Sequence, residues 1–157
     1  KHFILILRQV FIGACLILYI KLMATIFSKI VKGEIPCYKV AENDKFFAFL
    51  DINPLVKGHT LVVPKQEVDY IFDLNDEDLA EMHVFAKQIA SAIQKAFHCK
   101  KVGEAVIGLE VPHAHIHLIP IQHESDMLFS NPKLKLSPDE FMAVATAIRE
   151  ALTSKES

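Results

Sequence analysis

The sequence predicts one domain that combines α-helices and β-strands around a central run of histidines. The chain has 157 residues, of which 52% are hydrophobic and 9% aromatic, so it can bury a core and is not a disordered chain. Segments with helical spacing alternate with short β-branched or aromatic runs that end at turn-forming residues. In one of these runs, three of the eight histidines occupy every second position. Together these observations predict a mixed domain organised around the histidine run.

The first half of the domain is predicted to form a short helix and three strands. Apolar residues at helical spacing indicate a helix over residues 24–32, which a following glycine and proline would end. Residues 38–41 and 45–51 have the composition of two strands joined by a turn. A β-branched strand over residues 59–64 follows a loop that contains Asn-Pro and Lys-Gly.

The second half is predicted to contain two longer helices with two strands between them. Asn75 is a suitable N-cap, and the three acidic residues after it favour the positive end of a helix with an apolar stripe. A strand over residues 102–107 precedes the histidine run at 111–120. Residues 123–135 are polar and lack clear periodicity. Ser-Pro-Asp-Glu at 137–140 is a capping box with proline at the first helical position, so it opens a last helix.

The histidine run is predicted to be a strand because a strand places every second side chain on one face. His113, His115 and His117 would then point the same way, whereas a helix would spread them over about 200°. Histidine titrates near pH ~6.5, and each member of a cluster disfavours protonation of the others. The cluster therefore keeps a neutral nitrogen available near neutral pH, either as a nucleophile or as a metal ligand.

Three interpretations of the cluster follow from the residues themselves. In the first, the histidines only form an exposed strand face, which would crowd like-titrating groups without a packing gain. A zinc site needs bonds of about 2.1 Å, but His113 and His117 lie about 13 Å apart on a straight strand, so a metal would need His59 or other ligands. In the third, a central imidazole attacks phosphorus while its neighbours orient it and the phosphate.

Asp51 ends one predicted strand and His59 begins the next, so both are expected to line one edge of a cleft.

Residues 1–22 are an apolar leader with three positive charges and no acid. As a membrane anchor, the run 3–20 is at the lower limit for a bilayer core of about 30 Å, and Arg8 would be unfavourable near its centre. As a signal peptide, the leader lacks an A-x-A-like cleavage site, and its resemblance to a lipoprotein processing site is faint. The favoured interpretation is an upstream extension, with a true start at Met23 and one domain over residues 23–157.

Charge and cysteine content limit the partners and the compartment. The net charge is −2, and without the leader it is −5, so no basic stripe for nucleic acid remains. A ligand that carries phosphate must then be held by local contacts. Three unevenly spaced cysteines do not indicate a disulfide framework. We expect a cytoplasmic protein without a nucleic-acid partner, and contact with a membrane only if the leader is an anchor.

Three motifs in the same order resemble those of the histidine triad (HIT) family, in its Hint-like branch. His113-Ala114-His115-Ile116-His117 and the two apolar residues that follow match the pattern His-φ-His-φ-His-φ-φ, where φ is hydrophobic. Residues 26–36 resemble the usual start of that branch, and residues 49–54 with 58–64 resemble its middle. The similarity extends from about residue 24 to residue 120.

The resemblance implies an α+β fold, with an antiparallel sheet of about five strands, helices on one face, and pairing into a homodimer. It implies a nucleotide phosphoramidase or nucleotidyl hydrolase that acts on purine nucleoside monophosphate derivatives without a metal or other cofactor. By position, His115 resembles the nucleophile that forms a nucleotidyl-histidine, which water then cleaves. His117 and His59 would assist through hydrogen bonds, and His113 would orient its neighbours.

The same resemblance implies a nucleotide-binding set. Asp51 matches the position that holds the ribose hydroxyls. Phe27, Ile30 and Ile52 match the positions that form apolar walls around the purine base. The stretch Gly108-Leu109-Glu110 departs from the family, which commonly has Gly-Gln-Ser or Gly-Gln-Thr with a hydroxyl near the phosphate. The carboxylate of Glu110 would repel a phosphate unless it is protonated or turned away, so the departure affects leaving-group preference.

Two other functions stay open at this point. One is a zinc-dependent hydrolase, which would lose activity on chelation. The other is a nucleotide-binding regulatory protein with little turnover, for which tight AMP binding without release of product would be the sign.

Overall fold

The computed structural model describes residues 25–154. The predicted leader, residues 1–22, and the predicted start at Met23 lie outside the described residues. Between residues 25 and 154, no helix is both long enough and apolar enough to cross a membrane. The domain boundaries at 23 and 157 stay predictions.

A five-stranded antiparallel sheet forms the centre of the domain, with the strand order β1-β2-β3-β5-β4. Its strands are β1, Lys39–Glu42; β2, Phe46–Leu50; β3, Thr60–Pro64; β4, Lys101–Ala105; and β5, Ile116–Ile121. Leu61 of β3 pairs with His117 of β5, so these two side chains share a face of the sheet. The expected α+β fold with five antiparallel strands is confirmed.

Within residues 25–154, three α-helices accompany the sheet, namely α1, Ile26–Val31; α2, Asp76–Phe97; and α3, Pro138–Thr153. The side chains of Thr25, Asn75 and Ser137 each accept a main-chain N–H of the first turn, which satisfies a donor that a helix start leaves unpaired. The predicted N-cap of α2 and the predicted capping box of α3 are both confirmed.

The helices lie on both faces of the sheet. The two long helices, α2 and α3, cover the face to which Ile116 and Leu118 of β5 point. The short helix α1 packs Phe27 and Ile30 against the opposite face, on a cluster formed by Phe47, Phe49, Leu61 and Val63. Full burial of an apolar side chain of this size contributes about 1.5–3 kcal/mol. Helices on one face were expected, but α1 lies on the face opposite the long pair, which is the face that carries His117.

The histidine strand is shorter than predicted. β5 begins at Ile116, and residues 111–115 are irregular. Pro112 has no N–H for a sheet ladder, and the N–H of Ala114 donates outside the sheet, to the Val68 carbonyl at 2.7 Å. Strict alternation therefore holds only from the start of β5, and the first two histidines of the run depend on other contacts for their positions.

The chain after β5 folds back along the edge of the sheet. A 3₁₀-helix, Glu124–Met127, lies in the segment that was predicted to lack periodicity. Met127 reaches the edge strand at Gly103, where the Cβ atom of any larger residue would clash with the methionine sulfur. The N–H of Leu134 donates to the carbonyl of Pro54 at 2.8 Å. The segment is thus held both at β4 and at the loop between β2 and β3.

Candidate active site

The central histidine, His115, is fixed through one ring nitrogen. Its Nδ1 lies 2.6 Å from the main-chain oxygen of His113, which can only accept, so Nδ1 carries the proton. In the neutral ring, Nε2 then has an available lone pair. The edge of the Phe27 ring meets the His115 ring at a centroid distance of 5.1 Å, and His115 is 6% exposed. The site therefore presents one unprotonated imidazole nitrogen in largely buried surroundings.

His59 and His117 form a buried hydrogen-bonded pair beside His115. The N–H of Leu55 donates to His59 Nδ1 at 3.2 Å, so the proton of a neutral His59 is on Nε2. This Nε2–H donates to His117 Nδ1 at 3.0 Å, which leaves the proton of His117 on its Nε2. The rings of His115 and His117 have centroids 4.8 Å apart. The three rings therefore form one contiguous group with defined tautomers.

Burial lowers the pKa of the histidines around His115. Desolvation is the largest cause, and it lowers the pKa of His59 to about 4 and that of His117 to about 3. The positive charge of Lys133 lowers both values further. Desolvation also lowers the pKa of His113, against the raising effect of its hydrogen bond to the Pro64 carbonyl. These rings are neutral at pH 7, so each offers one donor and one acceptor.

His113 is fully buried and has partners at both ring nitrogens. Its Nε2–H donates to the Pro64 carbonyl at 2.8 Å, so Nδ1 accepts from the Thr25 hydroxyl at 2.9 Å. Phe27 meets its ring edge-on at a centroid distance of 5.9 Å. With both nitrogens engaged by the protein, His113 has none to offer a ligand.

Asp51 lies beside the histidine pair, where its position after β2 was expected to place it. Its Oδ2 is 3.7 Å from His59 Nε2, and its Oδ1 accepts the N–H of Asn53 at 2.8 Å. The main chain of Asp51 also donates to the His59 carbonyl at 3.0 Å. The Asp51 side chain is 18% exposed, so a polar ligand can reach the carboxylate.

The three residues that were predicted to surround a purine base have different environments. Phe27 and Ile30 are 8% and 9% exposed and belong to the cluster between α1 and the sheet. Phe27 forms an inner wall of the site because it touches both His113 and His115. Ile52, in the loop after β2, is 64% exposed and provides apolar surface outside the cluster.

The loop with Gly108 and Glu110 turns its side chains to solvent. Gly108 has a φ of +72°, in the left-handed region that favours glycine. Leu109 is 89% exposed, and Glu110 is exposed as well. The structure therefore does not place the Glu110 carboxylate in contact with the buried histidines, and its predicted effect on a phosphate stays a prediction.

Two residues of the site, Phe129 and Lys133, were not predicted. The Phe129 ring centroid lies 4.9 Å from that of His117 and 6.5 Å from that of His59. Lys133 Nζ donates to the Phe129 carbonyl at 2.6 Å and lies 5.6 Å from its ring centroid. An aromatic side chain within a mostly polar segment is the sequence signal that could have found this wall.

Asp51, His59 and His117 also form a set of possible metal ligands, whose ligand atoms lie within 4.8 Å of one another. A neutral His59 could bind a metal through Nε2 only if its proton were on Nδ1. That nitrogen instead accepts the N–H of Leu55. The hydrogen bonds of the set therefore do not fit a metal at His59 Nε2.

A five-stranded antiparallel sheet, with three alternating histidines at and just before the start of its strand β5, is typical of a histidine triad protein. The family model described as HIT domain matches residues 32–124. The chain therefore belongs to the HIT domain family.

Named relatives and solved structures agree with this assignment. The adenosine 5'-monophosphoramidase hnt1 of Schizosaccharomyces pombe is 38% identical over 128 residues, which are 80% of this chain and 96% of that protein. Its counterpart of the same name in Saccharomyces cerevisiae is 38% identical over 106 residues, or 67% of each chain. A Hit-like protein from Bartonella henselae has a TM-score of 0.70 at 30% identity, covering 81% of this chain and 95% of that one. A zinc-bound histidine triad protein from Mycobacterium smegmatis has a TM-score of 0.70 at 29% identity, covering 83% and 94%.

Proposed function

We propose that the chain is a HIT-type hydrolase that cleaves phosphoramidates of purine nucleoside 5'-monophosphates, with AMP derivatives as the first substrates to test. The observation that carries this proposal is the tautomer of His115, whose Nδ1–H is held by the His113 carbonyl while Nε2 is left as a nucleophile. The relatives named adenosine 5'-monophosphoramidase support the substrate class.

In the proposed reaction, Nε2 of His115 attacks the α-phosphorus and forms a phosphorus–nitrogen bond. The bond from phosphorus to the departing nitrogen breaks, and the departing amine takes up one proton. A water molecule then supplies a hydroxyl to phosphorus while the bond from phosphorus to His115 breaks, and the other proton of that water goes to solvent, which replaces the proton taken up by the amine. The net reaction consumes one water and yields a nucleoside monophosphate and an amine.

The neutral His59–His117 pair assists in this proposal by donating a hydrogen bond. Since His117 Nδ1 accepts from His59, the proton of His117 is on Nε2 and available to a phosphate oxygen. Asp51 can accept hydrogen bonds from ribose hydroxyls, because its carboxylate is partly exposed beside the pair. Phe27, Ile30 and Ile52 remain the proposed apolar contacts of the base.

The deciding experiment measures release of AMP from adenosine 5'-monophosphoramidate before and after exhaustive chelation. We expect full activity after chelation because imidazole itself supplies the covalent step. Loss of turnover on chelation, with recovery on addition of zinc, would support a zinc-dependent hydrolase instead. Tight AMP binding without measurable turnover would support a regulatory nucleotide-binding protein.

We also propose a cytoplasmic homodimer. β4 is an edge strand of the sheet, and Val106 and Ile107, just beyond its end, are 41% and 45% exposed. An open edge with apolar neighbours favours symmetric pairing with a second copy. Light scattering at micromolar concentration is expected to give twice the mass of the chain, and a monomeric mass would contradict the dimer.

A further inference from the structure

A chain of polar side chains connects the start of α1 with the first histidine of the triad. We call Thr25, Ser28 and Glu67 the anchor cluster. Thr25 Oγ1 lies 2.9 Å from His113 Nδ1 and 3.1 Å from Ser28 Oγ. The Ser28 hydroxyl donates to the Glu67 carboxylate, which also accepts the main-chain N–H of Thr25 at 3.0 Å. The cluster therefore joins α1, the chain after β3 and the segment that precedes β5.

The proton positions in the anchor cluster follow from its two ends. His113 Nε2–H donates to the Pro64 carbonyl at 2.8 Å, so its Nδ1 needs a donor. Thr25 supplies that donor, because the Ser28 proton is directed to the Glu67 carboxylate. Thr25 Oγ1 also accepts the N–H of Ser28 at 3.1 Å as the N-cap of α1. The Thr25 hydroxyl is thus held in one orientation, toward the His113 ring.

The orientation of His113 matters because its main chain holds His115. The His113 carbonyl accepts His115 Nδ1–H at 2.6 Å. Residues 111–115 lie outside β5, so a sheet ladder does not fix this carbonyl. The N–H of Ala114, in the same peptide unit as this carbonyl, donates to the Val68 carbonyl at 2.7 Å, and the fully buried His113 ring, bonded at both nitrogens, adds a second constraint.

We propose that Thr25, Ser28 and Glu67 are positioning residues, which hold the His113 ring so that its carbonyl keeps His115 in the tautomer with a free Nε2. This inference rests on the proposed nucleophilic role of His115. None of the three residues needs to touch the substrate, because they act through the backbone of His113. Their loss is therefore expected to change the rate of the chemical step more than the affinity for the nucleotide.

The test compares two substitutions at one position. Thr25→Val keeps the shape of the side chain but removes both the donor to His113 Nδ1 and the N-cap acceptor of α1, whereas Thr25→Ser keeps the hydroxyl for both. For adenosine 5'-monophosphoramidate, we expect kcat to fall at least about tenfold in Thr25→Val with KM changed less than about twofold, and Thr25→Ser to stay near the wild-type kcat. Equal loss in both variants, or a fall in affinity alone, would overturn the proposal.

A second measurement reports on the tautomer directly. Nitrogen-15 NMR of the imidazole rings is expected to show His115 protonated at Nδ1 in the wild type and a mixture of tautomers in Thr25→Val. If Thr25→Val does not fold, Glu67→Ala serves in its place, because Glu67 is exposed. Its loss frees the Ser28 hydroxyl to compete with His113 Nδ1 for the hydroxyl proton of Thr25. The expected change is the same in sign and smaller in size.

The outcomes separate this inference from the proposed function. An unchanged His115 tautomer and normal kcat in Thr25→Val and Glu67→Ala would overturn the positioning role while leaving the nucleophile in place. If rapid quenching of the wild-type enzyme showed the adenylate on a residue other than His115, the proposed function would fail. A tautomer change in Thr25→Val would still be measurable in that case, because it requires no turnover.

Discussion

At the scale of single residues, the site depends on where protons lie on neutral imidazoles. Burial lowers the pKa of His59 to about 4 and that of His117 to about 3, so neither ring carries a charge at pH 7. Their hydrogen bonds then have a fixed direction, from Leu55 to His59 and from His59 to His117. These bonds occupy the acceptor nitrogens of His59 and His117, so the free lone pair among the three rings is that of His115 Nε2.

Removal of His115 is the first prediction. His115→Ala leaves no equivalent nitrogen beside the phosphorus, so turnover of adenosine 5'-monophosphoramidate is expected to fall by at least about a thousandfold. AMP binding, measured by calorimetry, is expected to persist because Asp51 and the apolar wall remain. Rapid quenching of the intact enzyme should show an adenylate on the peptide that contains His115. Near-normal turnover in the variant would refute the assignment.

The second prediction concerns Glu110. Glu110→Ser replaces a carboxylate by a neutral hydroxyl in the exposed loop that follows Gly108, where related proteins are expected to place a donor near the phosphate. We expect kcat/KM for phosphoramidates to rise, and a tenfold rise would correspond to about 1.4 kcal/mol of transition-state stabilisation. Glu104→Ser, on the neighbouring strand, is the control and should not change kcat/KM. A clear decrease in Glu110→Ser would give Glu110 a catalytic part of its own.

At the scale of elements, the segment after β5 closes one side of the site. It is held by Met127 against Gly103 and by the hydrogen bond from Leu134 to Pro54. Between these two attachments, Phe129 covers the His59–His117 pair with its ring. Water is thereby kept from the pair on that side, which is consistent with desolvation as the largest cause of the low pKa values.

Lys133 gives this segment a testable electrostatic effect. Its positive charge lowers the pKa of both His59 and His117, so Lys133→Met is expected to raise both. Because Lys133 is exposed and screened by salt, the rise should be below about one unit. NMR titration of the histidines measures it. Lys135→Met is the matched control, and a rise of equal size in that variant would contradict a specific role for Lys133.

At the scale of the whole molecule, neutral buried histidines make stability depend on pH. An unfolded histidine titrates near ~6.5, so below that pH the unfolded chain binds protons at His59 and His117 that the folded protein does not bind. The stabilisation is complete above pH ~6.5 and is lost as pH falls toward the folded values of about 4 and about 3. Each histidine contributes at most about 1.4 kcal/mol per pH unit to the fall in free energy of unfolding.

Urea unfolding between pH 6.5 and pH 5 tests this dependence, because most carboxylates stay ionised in that range. His117→Asn is expected to reduce the slope of the free energy of unfolding against pH by the contribution of one histidine. The amide oxygen of asparagine can still accept the hydrogen bond from His59. His98→Asn is the control, because His98 is exposed with a φ of 48°, a conformation that asparagine tolerates. A slope that is the same in all three proteins would count against the low pKa of His117.

Local sequence was enough to predict the elements that have regular spacing. The caps at Asn75 and Ser137 and the five antiparallel strands agree with the structure because each depends on neighbours within a few positions or on a family pattern. The strand over the histidine run was predicted too long. Alternation alone cannot show that Pro112 interrupts the ladder and that Ala114 bonds to Val68 instead.

The sequence by itself determined which residues are candidates for the chemistry of this protein. It identified the three alternating histidines, with His59 and Asp51 at the ends of a nearby loop, because period-two spacing and strand ends are local properties. Only the tertiary structure decided the tautomers, the low pKa values, and the contacts of Phe129 and of Thr25 with the histidines. Those properties depend on burial and on contacts between residues far apart in the chain, such as Thr25 and His113. Residues in irregular segments have no periodic pattern from which such contacts could be predicted.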